Sequence, residues 1–203
     1  MNQRLHTLPA GLVLAAGEGR RLGQPKALVE VHGLRLVDRA ADTLRAGGCD
    51  PVLVVSGATP LEVHGATVAH NSAWRTGMGS SLRAGLAALP AGSEAVVVTL
   101  VDTPTVVAEV VHRIAAAWRA GAEVAVATYA GAPRTPVLLA RVHWPAAAAA
   151  QGDQGARAFL AANPDLVTEI ECGDLGPWLD LDTPADLARW RDGSHDHHGN
   201  REA

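Results

Sequence analysis

The sequence predicts an α/β protein built on a doubly wound, mainly parallel sheet with helices on both faces. Three observations carry this. Short Val-rich runs such as Ala95-Val-Val-Val-Thr-Leu-Val101 alternate with longer segments of helical periodicity. Strands apolar at every position belong inside sheets covered on both sides. At 203 residues, 48% of them hydrophobic and only 3% aromatic, the chain can fill one core with Ala, Val and Leu. One domain is expected over residues 8–192, followed by a polar tail, 193–203, expected to be disordered.

The elements follow in order. Leu12–Ala15 is the first strand. Leu36–Ala46 is a helix with Leu36, Val37, Ala40, Ala41 and Leu44 on one stripe, stopped by Gly47-Gly48. Strands are expected at Pro51–Ser56 and Thr67–Ala69, then a helix at Ser81–Leu89 capped by Ser80 or Ser81. The Ala95–Val101 strand leads to a helix at Val106–Arg119. Strands at Glu123–Thr128, Pro136–Ala140 and Val167–Glu171 surround a helical pair at Ala147–Ala150 and Gln154–Ala162. Ala185–Trp190 is the last helix.

Ligands of doubly wound sheets sit beyond the carboxyl ends of the strands. Beyond the first strand lies Ala16-Gly17-Glu-Gly19-Arg20-Arg21-Leu-Gly23-Gln-Pro25-Lys26. Glycines let backbone N–H groups approach phosphate oxygens, and the arginines and lysine neutralise phosphate charge. The segment reads as a polyphosphate cradle. It lacks the Gly-Lys-Ser/Thr ending of a Walker A loop, and its G-x-G-x-x-x-G spacing misses the dinucleotide fingerprint by one residue.

Two Asp-Thr-Pro tripeptides, Asp102-Thr103-Pro104 and Asp182-Thr183-Pro184, fall at strand exits or helix starts. Threonine as N-cap and proline at the first helical position explain themselves. The aspartates, one residue ahead of each cap, are free to enter a cleft. Two such carboxylates suit magnesium, a hard ion that takes oxygen ligands and completes its shell with water and phosphates, with Asp180, on the same face two residues away, as rival to Asp182. Gly77-Met-Gly79-Ser80-Ser81 offers small residues and N–H groups beside a base or ribose.

Leu14-Ala15-Ala16-Gly17-x-Gly19-x-Arg21-Leu22-Gly23-x-Pro25-Lys26 resembles the signature loop of MobA-like nucleotidyltransferases. Asn71 to Leu86, Gly152-Asp153-Gln154-Gly155-Ala156-Arg157 and Leu179 to Leu187 resemble later motifs of their molybdenum cofactor cytidylyltransferase branch. The resemblance implies a Rossmann-like, nucleotide-diphospho-sugar transferase-like fold. It also implies transfer of CMP, or another NMP, from an NTP to the terminal phosphate of molybdopterin, releasing pyrophosphate. Arg21, Lys26 and Asp102 would be catalytic. Leu14, Ala15, Ala16, Gly17, Gly19, Arg20, Gly23, Gly77, Gly79, Ser80 and Ser81 would bind nucleotide, and Asp102 with Asp182 would hold Mg2+ or Mn2+. A molybdoenzyme or chaperone is an implied partner. Two segments differ from that branch: Asp102-Thr103-Pro104 replaces Asp-Gln-Pro, and Arg134-Thr135-Pro136 replaces Gly-His-Pro near the acceptor side. The second leaves another phosphorylated acceptor open. A guanylyltransferase, a sugar-phosphate nucleotidyltransferase and a non-catalytic nucleotide-binding regulator are the alternatives.

Other classes find little support. A net charge of −4, with no aromatic–basic interleaving, provides no nucleic-acid surface. No run is long enough to span a membrane, residues 1–9 are too polar for a secretory signal, and Cys49 and Cys172 fit reduced thiols. A cytoplasmic enzyme is expected. His64, His70, His112 and His143 lack metal spacing, Ser56 and Ser80 lack a nucleophile elbow, and the His195–His198 tail is read as solvated.

Overall fold

The computed structural model describes residues 7–149 and 152–192. The expected 193–203 tail, its histidines and Ala150 lie outside them. Strands β1 (Ala10–Leu14), β4 (Val52–Ser56), β5 (Thr67–His70), β6 (Ala95–Leu100), β7 (Val124–Tyr129), β8 (Ala132–Ala140) and β9 (Val167–Glu171) form a seven-stranded sheet in the order β5-β4-β1-β6-β8-β7-β9. A separate two-stranded ribbon pairs β2 (Glu30–Val31) with β3 (Leu34–Arg35). Every neighbouring pair in the large sheet is parallel except those of β8, which runs antiparallel to both β6 and β7.

The helices are α1 (Leu36–Ala46), α2 (Met78–Ala88), α3 (Ala108–Arg119), α4 (Trp144–Ala148), α5 (Arg157–Ala162) and α6 (Pro184–Arg191). Successive strand residues point to opposite faces, and each face meets its own helices. Val13, Val54 and Val97 share a core with Val37, Leu44, Ile114, Trp118 and Trp190 of α1, α3 and α6. Leu12, Val55 and Val98 share the opposite core with Leu82, Leu86, Trp144 and Phe159 of α2, α4 and α5. The sheet is thus buried on both sides, as its unbroken apolar strands require.

Three local expectations are corrected. The helix expected to be capped by Ser80 or Ser81 starts at Met78 behind Gly77, with no side-chain cap. Both serine hydroxyls instead accept from Asn71 Nδ2, at 2.8 and 3.0 Å, and Ser80 Oγ donates back to Gly77 O at 2.8 Å. Thr103 does not cap α3, which begins only at Ala108. Its hydroxyl donates to Leu100 O at 3.0 Å and closes the turn leaving β6. The strand expected at Pro136 begins at Ala132, joined to β7 through Ala130-Gly131, both with positive φ. Its first half pairs only with β7, and the register shifts where Thr135-Pro136 lie, so Pro136 occupies a bulge while Pro133 pairs with Thr128.

Thr183 does cap α6. Asp186 N donates to Thr183 Oγ1 (3.2 Å) while Thr183 N donates to Asp186 Oδ2 (2.8 Å), a reciprocal capping box. Burial alone would raise the Asp186 pKa, but hydrogen bonds from Thr183 and Arg189 outweigh it and bring it down to about 2. The stabilisation is therefore present above the ordinary value of 3.8 and is lost as pH falls through about 2. Thr183→Ala is expected to cost about 0.5–2 kcal/mol in urea unfolding at neutral pH. The destabilisation by Asp186→Asn should shrink between pH 4 and pH 2; a penalty unchanged across that range would show that the charge is not what the fold uses.

Candidate active site

The strand order changes direction between β1 and β6: the chain runs from β1 outward to β4 and β5, then returns to β6 on the other side. Such switch points open a crevice at the carboxyl ends of the strands. Main-chain bonds fix its floor. Ala15 N donates to Val55 O (3.0 Å), Val101 N to Leu14 O (3.2 Å) and Ala58 N to Ala16 O (2.9 Å).

The glycine loop leaves from there. Leu22 N and Gly23 N both donate to Gly19 O at 2.9 Å, drawing the loop into a compact turn. Gly19 has φ +66°, and a Cβ there would lie 1.9 Å from Gln24 O. No side chain fits without opening the loop. Pro25 then leads into a short 3₁₀ turn, Lys26–Leu28, that presents Lys26 to the crevice.

Lys26 Nζ lies 2.6 Å from Asp102 Oδ2, 2.6 Å from Asp182 Oδ1 and 3.9 Å from Asp180 Oδ1. Arg21 Nη1 donates to the other oxygen of Asp182 at 2.8 Å. Arg20 pairs instead with Glu18. The carboxylates come from two segments joined by the main chain, since Leu181 N donates to Asp102 O at 2.9 Å. Leu181 is fully buried in the core, so its neighbours Asp180 and Asp182 turn to the opposite side, toward the crevice. Asp180 and Asp182, left as rivals by the sequence, both stand beside Asp102.

Electrostatics follow from this crowding. Burial, then the charge of Asp102, pushes the Asp180 carboxyl up to about 6. The hydrogen bond from Lys26 holds Asp182 below its ordinary value. Burial would lower the Lys26 pKa, but the carboxylates, Asp102 foremost, raise it overall. Asp102 Oδ1 and Asp180 Oδ1 are buried without a hydrogen-bond partner. Asp102, Asp180 and Asp182 each offer an oxygen within 4.8 Å of the others. Orphaned carboxylate oxygens in that arrangement demand a proton or a cation, and an all-oxygen set fits a hard divalent ion.

The crevice has a volume of about 730 Å³. Of the residues expected at the site, Leu14, Ala16, Gly17, Gly19, Arg20, Arg21, Lys26, Gly77, Ser81, Asp102 and Asp182 line it; Ala15, Gly23, Gly79 and Ser80 do not. Ala15 belongs to a core, and the Ser80 hydroxyl is held by Asn71 and Gly77. Gly77, at φ +109°, lets the 152–153 loop close on α2: a Cβ there would meet Gly152 C at 2.4 Å.

The crevice is lined also by residues to which sequence reasoning assigns no individual role. Arg134 lies over Trp178, 4.6 Å from the ring centroid, and Arg75 over Trp74 at 4.4 Å. Asp153, Gln154 and Arg157 complete it. Trp178 Nε1 and Thr135 Oγ1 are buried and have no hydrogen-bond partner. The alternation Trp178, Asp180, Asp182 against Leu179 and Leu181 was the signal that placed Trp178 on the carboxylate face. Thr135 arrives through the β8 bulge.

The comparisons agree with this geometry. The model of the MobA-like NTP transferase domain matches residues 11–167, from β1 to the start of β9. The chain belongs to that family. It is a nucleotidyltransferase. The family's domain therefore spans both the glycine loop and the Gly77–Arg157 wall, while Asp180 and Asp182 lie beyond the matched stretch. A protein of Paenarthrobacter nicotinovorans named nicotine blue oxidoreductase is 38% identical over 197 residues, covering 88% of this chain and 94% of that one. A molybdenum cofactor guanylyltransferase of Rhodobacter capsulatus is 32% identical over 195 residues, covering 90% and 95%. Among solved structures, Rv0371c from Mycobacterium tuberculosis H37Rv superposes with a TM-score of 0.79 at 27% identity, covering 92% of this chain and 98% of that one. A complex of Rv0371c with manganese gives 0.74 at 25% identity, over the same shares. Among the described residues, no helix is long and apolar enough to cross a membrane.

Proposed function

We propose that this chain transfers a nucleotidyl group from an NTP, with CTP preferred, to the terminal phosphate of a small phosphorylated acceptor, releasing pyrophosphate. Molybdopterin is the first acceptor to test, on the strength of the sequence resemblance and the guanylyltransferase relatives. The observation that carries the reading is the meeting of Lys26 with Asp102, Asp180 and Asp182 beside the glycine loop, at the switch point of the sheet.

The roles follow from the chemistry. The Gly17–Gly23 loop would cradle the triphosphate through its N–H groups, with Arg20 and Arg21 at its rim. Lys26 would follow negative charge as it moves onto the leaving pyrophosphate. A phosphate monoester acceptor, with a second pKa near about 6, is largely dianionic at neutral pH and attacks the α-phosphorus without a general base. The new O–P bond forms as the bond from the α-phosphorus to the bridging oxygen breaks, and pyrophosphate carries the charge away. Alignment and charge stabilisation are then what the protein must supply. Asp102 and Asp182, with Asp180 alongside, would hold Mg2+ or Mn2+, which neutralises triphosphate charge when bound. The manganese complex of the Rv0371c neighbour supports a divalent ion. Arg134, Trp178 and Arg157 line the wall left for the acceptor. Cys49 and Cys172 are free thiols, which fits a cytoplasmic setting.

Nucleotide choice is the finer point. Ala16 lines the crevice, and guanylyltransferases typically carry glycine at its position. Its methyl also packs closely, because a Cβ on Gly57 would stand 2.7 Å from it. A methyl-sized difference is worth about 1–3 kcal/mol, so CTP should exceed GTP by roughly ten- to a hundredfold in kcat/KM, with Ala16→Gly narrowing the gap. Equal use of both, or a GTP preference as the name of the Rhodobacter capsulatus relative invites, would overturn the cytidylyl reading alone. The broader test is pyrophosphate release across the four NTPs, with molybdopterin and other phosphorylated acceptors, in Mg2+ or Mn2+. Tight nucleotide binding with no release in any combination would favour a regulatory binder.

A further inference from the structure

Lys26 stands where a cation belongs. Its ammonium makes 2.6 Å contacts with Asp102 and Asp182 and lies 3.9 Å from Asp180, inside the only group of three such ligands found among the described residues. A divalent ion on the same three carboxylates would face this ammonium at close range. Like charges a few ångströms apart in a half-buried site repel strongly, so lysine and metal exclude one another there. The lysine side chain is only 17% exposed, yet it sits on a long, flexible stem beside the loop assigned to the triphosphate. It therefore has two places to go.

We propose that Lys26 is a tethered counter-ion that occupies the carboxylate site until a triphosphate draws it away, so that nucleotide and divalent metal bind with positive coupling. The inference rests on the reading that the glycine loop takes a triphosphate. Asp102 and Asp182 keep a cation throughout. Before binding, Lys26 screens Asp102 and Asp182 while Arg21 holds the outer oxygen of Asp182. Afterwards the metal takes the carboxylates and the lysine takes phosphate. Linkage makes the effect reciprocal: whatever factor nucleotide adds to metal affinity, metal adds to nucleotide affinity. The arrangement keeps metal from occupying the site alone and delivers it together with the polyphosphate it neutralises.

Mn2+ alone tests the first half. Its binding, followed by the EPR signal of the free ion without nucleotide, should be about tenfold or more tighter to Lys26→Met than to wild type, the size of one lost charge-assisted competitor. Equal or weaker binding to Lys26→Met, or no binding to either protein, overturns the proposal. A second measurement needs no variant. In wild type labelled with 15N-lysine, the carboxylate-bound Lys26 ammonium signal should be lost at saturating Mg2+, and, replaced by a phosphate-bound one, at lower Mg2+ when CTP is present. Its persistence with Mg2+ bound overturns the exchange. A nucleotidyl-transfer reading that failed would show as absent pyrophosphate release while the Mn2+ difference survived; a failed exchange would leave turnover intact.

Discussion

Asp102→Ala should lower turnover by at least about a hundredfold, a loss comparable to removing one strong transition-state contact. The carboxylate leaves β6 where the turn is closed by Thr103, and its main-chain oxygen, which a substitution keeps, accepts from Leu181 N. What the variant removes is one side chain, with its bond to Lys26 and its unpartnered Oδ1. The fold should stand, since Lys26 retains Asp182, and the melting temperature is the check. Near wild-type turnover in the folded variant would remove Asp102 from the chemistry and shift the metal to Asp180 and Asp182.

Lys26→Ala carries the second large effect. A charge-assisted contact to phosphate is worth about 1.5–3 kcal/mol, so NTP affinity should fall by roughly ten- to a hundredfold. Turnover should fall with it, because the lysine is asked to follow charge onto pyrophosphate. The remaining affinity should depend less steeply on ionic strength, since one cation no longer faces the anion. Kinetics unchanged at both low and high salt would leave Lys26 as a partner of the carboxylates and nothing more.

Much of this was open to reading before any coordinates, where local chemistry and tertiary packing agree. Helix α1 is legible to the residue, since its apolar stripe is stopped by Gly47-Gly48. The expected Ser81 start of α2 fails because Asn71, distant in the fold's logic but near in space, takes the serine hydroxyls that would otherwise cap. Thr103 and Thr183 share a tripeptide and diverge in role: one closes a strand exit, the other caps a helix. Only the second has an acidic partner three residues on, Asp186. Strand β8 starts four residues before the expected Pro136, and only pairing shows that Pro136 lies in a bulge and Pro133 on a half-edge. In the site, the glycine loop and Asp102 announce themselves by residue type. Asp180 and Trp178 do not; their side is settled by Leu179 and Leu181 reaching into the core, a tertiary fact. Arg134 was noticed as a departure, but its seat on Trp178 depends on two segments some forty residues apart meeting across the crevice.

The hydrogen bond from Leu181 N to Asp102 O has a consequence for how the protein is made. The seven strands are all present once residue 171 has been synthesised, and the glycine loop is then complete. The second and third carboxylates lie beyond that point, on the last stretch before α6. A chain cut short after β9 would keep the cradle and Lys26 but leave that lysine with Asp102 as its sole carboxylate of the three. On the ribosome, the proposed triphosphate cradle therefore precedes two of the three carboxylates proposed to hold a metal, and the cluster is complete only once Asp182 has emerged.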